Sequence, residues 1–242
     1  LNSLPALIVA MDVPASVART MVDQLVTVTP WFKVGPVLFT SAGPDAVRGI
    51  VDVGGRVFLD LKFHDIPTVV AGGVRAAADL GVSLLTVHCA GGSAMLEAAA
   101  DGARRSGAQI DVLGVTRLTS DGGRVGASVL RAAEFARAAG LPGVVASARE
   151  CGRVKSQFGD EFRVLTPAIR PRGAISDDQV RVATPGLAIR AGADYLVVGR
   201  PITQAPDPAA AARAILREME QARGRRAAAQ SEPQAAISRI RL

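Results

Sequence analysis

The stretch R-V-F-L-D-L-K-F-H-D-I-P, residues 56–67, begins as a buried strand and ends in charge. Val57, Phe58 and Leu59 are followed by Asp60, Lys62 and Asp65 within six positions. Side chains alternate across a strand, so Asp60 and Lys62 are expected on one face with Val57, Leu59 and Leu61 on the other. A strand carrying two carboxylates and an ammonium at its end needs a place where that end opens to a ligand or to solvent.

The rest of the chain supplies that place. Seven further short apolar runs recur along it: residues 6–12, 31–35, 84–89, 110–116, 143–147, 162–169 and 194–199. Segments of helical period separate them, and several close on a glycine (Gly81, Gly107, Gly140, Gly192), as helix C-termini do. Strand–helix alternation means a parallel sheet, and continuous apolar strands mean a sheet covered by helices. Eight such units in a chain of 242 residues predict a (β/α)8 TIM barrel with a parallel eight-stranded core. The alternative, an open doubly wound sheet, usually carries a G-x-G-x-x-G fingerprint after its first strand. The sequence A-M-D-V-P-A-S-V-A, residues 10–18, has none.

Composition narrows the function. With 49% hydrophobic residues, the chain has the means for a large core without disulfides or metal. Cys89 and Cys151 stand alone, which argues against a disulfide framework and suits a reducing cytoplasm. The net charge of +6 falls mostly at the end: residues 223–242 carry five arginines against Glu232, leaving +2 for residues 1–222. The body is thus nearly balanced. A single barrel domain over 1–222 and a poorly ordered basic tail over 223–242 are expected, with no nucleic-acid partner. No apolar run is long enough to span a membrane, and the opening L-P-A-L-I-V-A-M reads as the first strand.

In a barrel of this kind, chemistry sits at the C-terminal ends of the strands. Asp12 follows strand 1, Lys33 lies on strand 2, and Asp60 and Lys62 end strand 3. These four charges are predicted to meet at one mouth. A network that only fixes packing would be costly to desolvate, and all four fall on the catalytic side.

The blocks A-L-I-V-A-M-D-V-P, F-K-V-G, D-L-K-F-H-D-I-P-T-V-V, T-V-H-C-A-G-G, G-V-T-R-L-T-S, L-T-P-A-I-R-P-R-G and V-G-R-P-I-T-Q-A-P-D-P resemble, in order, those of the orotidine 5′-phosphate decarboxylase family. The resemblance covers residues 6–216. It implies a dimeric barrel acting on a nucleotide monophosphate, with no metal and no cofactor. By the same resemblance Asp60, Lys62 and Asp65 are catalytic, with Asp65 reaching into the neighbouring subunit, and Lys33 completes the charge array. Asp12 matches a ribose-binding position and Thr119 a pyrimidine contact. Thr68 is a substrate-binding candidate of the same signature. Arg170, Gln179, Gly199 and Arg200 match positions on the phosphate side.

The implied chemistry explains the residue types. Loss of carbon dioxide from C6 of the pyrimidine leaves an in-plane carbanion that the ring does not delocalise simply. Placed charge then has to stabilise it, and a lysine ammonium beside C6 also supplies the replacing proton. A buried lysine tends to lose its proton, and adjacent carboxylates oppose that loss. Sister families sharing D-x-K-x-x-D use Mg²⁺ and carry an acid at the end of strand 2, where this chain has Lys33. A non-catalytic barrel that only binds a nucleotide is a further alternative. His64 is expected on the face opposite Asp65, and His88 at the end of strand 4 is either pocket-lining or structural. Departures from the family pattern are Arg117, where an apolar residue is usual, Ala168, where glycine often sits, and Arg172.

Overall fold

The computed structural model describes residues 5–117, 126–171 and 182–238, with residues 227–238 described by backbone alone. Eight parallel strands close into a barrel in sequence order. They are β1 (Ala6–Ala10), β2 (Trp31–Val34), β3 (Arg56–Phe63), β4 (Val82–His88), β5 (Asp111–Val115), β6 (Gly143–Val145), β7 (Arg163–Thr166) and β8 (Tyr195–Val198). The helices are α1 (Ala15–Leu25), α2 (Pro36–Ala42), α3 (Asp45–Val51), α4 (Pro67–Asp79), α5 (Gly92–Ser106), α6 (Gly126–Ala138), α7 (Ala148–Phe158), α8 (Pro185–Ala191), α9 (Arg200–Thr203) and α10 (Pro208–Ser238). The predicted barrel is therefore the observed one.

Each strand is apolar on both faces because each face meets a different core. Ile8, Phe58, Leu84, Leu113, Leu165 and Val197 point inward and fill the barrel. Leu7, Val9, Phe32, Val57, Leu59 and Val112 point outward and pack under the helices. The end of the barrel away from the charged strand ends is closed by side chains: Trp31 and Tyr195 meet edge to face at 5.7 Å, and the Arg56 guanidinium lies 4.6 Å over the Trp31 ring. Arg163 bonds Asp111 beside them. Such aromatic and cation–π contacts add about 0.5–1.5 kcal/mol each beyond area burial.

The pairing of β3 with β4 is irregular. Leu59 pairs with Leu85, but the next aligned pair is Phe63 with Val87, so β3 carries extra residues at the point where its charges stand. Lys62 takes up the slip with φ 51, one of two non-glycine residues with positive φ among the described residues.

The four glycines read as helix stops all have positive φ, most clearly Gly192 (φ 99), which ends α8. Two short helices, α2 and α9, were not anticipated; both follow a strand after a single glycine and start with proline in the first turn. The basic stretch expected as a tail continues α10 to Ser238, and Arg226 reaches Asp160 at 3.4 Å. Among the side chains described, the buried stripe of α10 runs over Ala212, Ile215, Met219 and Ala222. Among the described residues no helix is long and apolar enough to cross a membrane.

Candidate active site

The C-terminal strand ends enclose a cavity of about 570 Å³. Its floor is the top of the inner core: Ala10, Phe58, Val115, Val145, Leu165 and Val197. Its wall is charged. Asp12 follows β1, Lys33 stands on β2, and Asp60 and Lys62 stand on β3, all lining the same space. Alternation along β3 turns Phe58, Asp60 and Lys62 to the inside, as expected from the sequence.

The charges form a chain of contacts. The Lys33 Nζ donates to both carboxylate oxygens of Asp12, at 2.9 and 3.0 Å. The same ammonium lies 3.9 Å from Asp60 Oδ2. Lys62 Nζ donates to that same Asp60 oxygen at 3.0 Å. Asp60 Oδ1 accepts from the Thr86 hydroxyl at 3.0 Å. Both carboxylate oxygens of Asp60 are thus engaged, which is what a side chain only 14% exposed requires. The two lysines share one anion between them, and the unshared side of the Lys62 ammonium faces the cavity it lines.

Across the mouth, Arg170 follows β7, and Gly199 and Arg200 follow β8; all three line the cavity. The loop carrying Arg170 is pinned at its base: Arg170 N–H donates to Ala183 O at 2.9 Å, and Ile169 bridges Ala183. Ala168 at the start of this loop has φ 60, which accounts for the glycine usual there. A Cβ on Gly199 would meet Ala10 Cβ at 3.4 Å, an ordinary contact.

Seven of the predicted site residues therefore converge: Asp12, Lys33, Asp60, Lys62, Arg170, Gly199 and Arg200. Thr119 and Gln179 lie outside the described residues, as does Arg172. Asp65 and Thr68 do not line this chain's cavity. Asp65 Oδ1 accepts from the adjacent Ile66 N–H at 2.6 Å in the turn before α4, and Asp60 is the carboxylate that bonds Lys62 within the chain. Thr68 sits in the first turn of α4 after Pro67. The two histidines stack on each other, with centroids 5.5 Å apart, and His88 lines a neighbouring cavity with Arg131 and Phe135. Arg117 lines both that cavity and the mouth, and its Nε lies 3.4 Å from Ser128 Oγ.

Two residues escaped the sequence reading. Thr86 looks like an ordinary β-former inside an apolar run, yet it lies one strand away from Asp60 and on the inner face with Leu84. Gly35 follows β2, and a Cβ there would come within 3.0 Å of Asp12 Oδ1 and 3.1 Å of Lys33 Nζ. The period-2 alternation of β4 could have pointed to the first; nothing local points to the second.

Fold and mouth together define a closed parallel barrel whose strand ends carry an alternating acid–base array over an apolar floor. Residues 5–215 match the model of the orotidine 5′-phosphate decarboxylase / HUMPS family, and the chain belongs to that family. It is 51% identical to the orotidine 5′-phosphate decarboxylase of Moorella thermoacetica, over 88% of this chain and 92% of that protein. It is 49% identical to the enzyme of the same name from Nitratidesulfovibrio vulgaris, over 88% and 97%. The crystal structure of orotidine 5′-phosphate decarboxylase from Lactobacillus acidophilus superimposes with a TM-score of 0.78 at 36% identity, covering 89% of this chain and 99% of that one.

Proposed function

We propose that this chain decarboxylates orotidine 5′-phosphate to UMP, a step of pyrimidine biosynthesis, and does so without metal or cofactor. The observation that carries this reading is the run of alternating charges Asp12–Lys33–Asp60–Lys62 along one wall of the cavity. The similarity to relatives named as orotidine 5′-phosphate decarboxylases supports the substrate. Within the family, Lys33 supports the choice against a Mg²⁺-dependent activity: its ammonium occupies the space between Asp12 and Asp60 that a divalent ion bound by those carboxylates would need.

In the proposed reaction the C6–carboxylate bond breaks and its electron pair stays on C6. Carbon dioxide leaves, and the Lys62 ammonium donates a proton to C6. The ammonium stabilises the developing carbanion before transfer because it is already aimed and the floor beneath it is apolar. A substrate carboxylate about 4 Å from Asp60 would be repelled by roughly 4 kcal/mol at an effective dielectric near 20, and the repulsion ends as carbon dioxide departs. Arg170, Gly199 and Arg200 would hold the phosphate at the far side, where binding energy orients the ring. Thr119 and Gln179 are assigned to the pyrimidine and to the phosphate loop respectively, and Asp12 to the ribose.

Asp65 is assigned to the site of a second subunit in a homodimer, and Thr68, one turn from it, to substrate binding. In support, among the described residues Asp65 bonds its own turn, and beside it Ile66 and Val69 are 62% and 52% exposed, an apolar patch. The working unit is proposed to be the barrel of residues 1–222, in the cytoplasm.

The fall in orotidylate absorbance, followed on protein treated with EDTA, tests this reading. Turnover is expected to survive EDTA and to be abolished by Lys62→Ala. Nucleotide binding without turnover would mark a binding barrel instead, and turnover restored only by Mg²⁺ would mark the sister chemistry. Mixed Asp65→Ala and Lys62→Ala chains should regain activity as hybrids; confirmed subunit exchange without recovery would end the shared-site assignment.

A further inference from the structure

The slip between β3 and β4 takes the Lys62 amide out of the ordinary ladder, since the aligned pairs jump from Leu59–Leu85 to Phe63–Val87. A buried amide removed from a sheet needs another acceptor. Here it is a side chain: Lys62 N–H donates to Thr86 Oγ1 at 3.0 Å. The same hydroxyl donates its own proton to Asp60 Oδ1 at 3.0 Å. Asp60 Oδ2 in turn accepts from Lys62 Nζ at 3.0 Å. The circuit closes on itself: Lys62 amide, Thr86 hydroxyl, Asp60 carboxylate, Lys62 ammonium.

We propose that Thr86 is a positioning residue for the decarboxylation, fixing both the left-handed backbone of Lys62 and the carboxylate oxygen that Asp60 turns toward the ammonium. The inference rests on the decarboxylase reading given above. Three features carry it. Thr86 is fully buried (0% exposed), so its hydroxyl has no solvent to bond in place of these two partners. Its two bonds use the hydroxyl once as acceptor and once as donor, a combination that alanine and valine lack and serine keeps. And Lys62 has φ 51, a conformation unfavourable for a residue with a Cβ, which persists only when its surroundings over-determine it. Thr86 supplies that constraint from the neighbouring strand, and it acts on the two groups that carry the charge without touching the substrate.

The experiment compares Thr86→Val, Thr86→Ser and wild-type protein by kcat and KM for orotidine 5′-phosphate, UMP affinity and Tm. Valine matches threonine in shape and removes both bonds. A misplacement of the reacting group approaching 1 Å costs on the order of 100-fold. Thr86→Val is therefore expected to lower kcat by about 10- to 100-fold while UMP affinity changes by less than about threefold, and Thr86→Ser is expected to stay within about threefold of wild type in kcat. A valine variant that folds and keeps wild-type kcat would overturn the proposal. So would a serine variant as impaired as the valine one, or a loss of UMP affinity that parallels the loss of kcat. If the valine variant does not fold, Thr86→Cys, with its weak donor and acceptor, is read on the same scale: a kcat between serine and the tenfold loss supports the proposal, and an unchanged kcat refutes it. Wild-type protein without orotidylate turnover would instead sink the functional reading and this inference with it, whereas active wild type with unmoved variants would sink this inference alone.

Discussion

Replacing Gly35 by alanine would move a charged pair without removing any charge. The added Cβ would stand 3.0 Å from Asp12 Oδ1 and 3.1 Å from Lys33 Nζ, so one or both must retreat by a few tenths of an ångström. The pair is closed at 2.9 Å. Opening it by about 0.4 Å at an effective dielectric near 20 weakens it by roughly 0.7 kcal/mol, about threefold, and the exposure of Asp12 reduces even that. The larger effect is geometric. Lys33 is the link between Asp12 and Asp60, so its displacement shifts the field around Lys62. Active-site misplacement of 1 Å costs on the order of 100-fold, which scales to roughly three- to tenfold here. The backbone itself accepts the change, because Gly35 has φ −103. Loss of unfolded-chain freedom stabilises by about 0.4–1 kcal/mol, and a poorer helix cap at the start of α2 offsets it by a similar amount. Expected, then, is a kcat/KM reduced three- to tenfold by the absorbance assay, with a urea midpoint nearly unchanged. Unchanged kcat/KM would refute the idea that the Asp12–Lys33 geometry matters, and a fall in stability matching the fall in activity would show that the fold rather than the array had been disturbed.

Ala168 holds φ 60 at the base of the Arg170 loop. Ala168→Gly should therefore leave the urea-unfolding free energy unchanged or raise it by up to about 1 kcal/mol, whereas Ala100→Gly within α5 should lower it by about 1 kcal/mol; equal losses at both positions would contradict the left-handed assignment. Burial pushes the thiols of Cys89 and Cys151 up to about 12 from an ordinary 9.0. A folded-state value raised in this way leaves stability whole below about pH 9 and erodes it as pH climbs toward 12. The native protein should resist iodoacetamide at pH 8 and label fully in denaturant, and equal labelling rates in the two states would show the thiols to be accessible.

The fold was readable because a closed parallel barrel imposes one unusual demand: its strands must be apolar on both faces. Runs such as Leu7–Ile8–Val9 and Val57–Phe58–Leu59 meet it, and once eight of them alternate with helical segments few topologies remain. The charges were readable as exceptions to the same demand. An aspartate or lysine at an inward position of such a strand has no solvent face to explain it. Short helices were harder. The residues of α2, P-V-L-F-T-S-A, are too few for a period to show, and only Leu38 among them is buried.

Asp65 marks a limit of another kind. Within one chain its carboxylate bonds the turn at Ile66 into α4, so its spacing from Lys62 does not place it in the same chain's cluster, and its proposed site is a second subunit's. Linear spacing along a strand does not survive the strand's end. Thr86 marks a third limit. Nothing in L-L-T-V-H-C distinguishes a hydroxyl that organises a site from one that fills a strand, because its partners come from β3 through a register slip that β4 does not encode. The two non-glycine residues with positive φ among the described residues, Lys62 and Ala168, both line the mouth. A chain that obeys its local rules almost everywhere and breaks them at both sides of one cavity has placed its strain where ligand contacts can use it. The positions least legible by local propensity are, for that reason, the ones on which substitution should separate activity from stability.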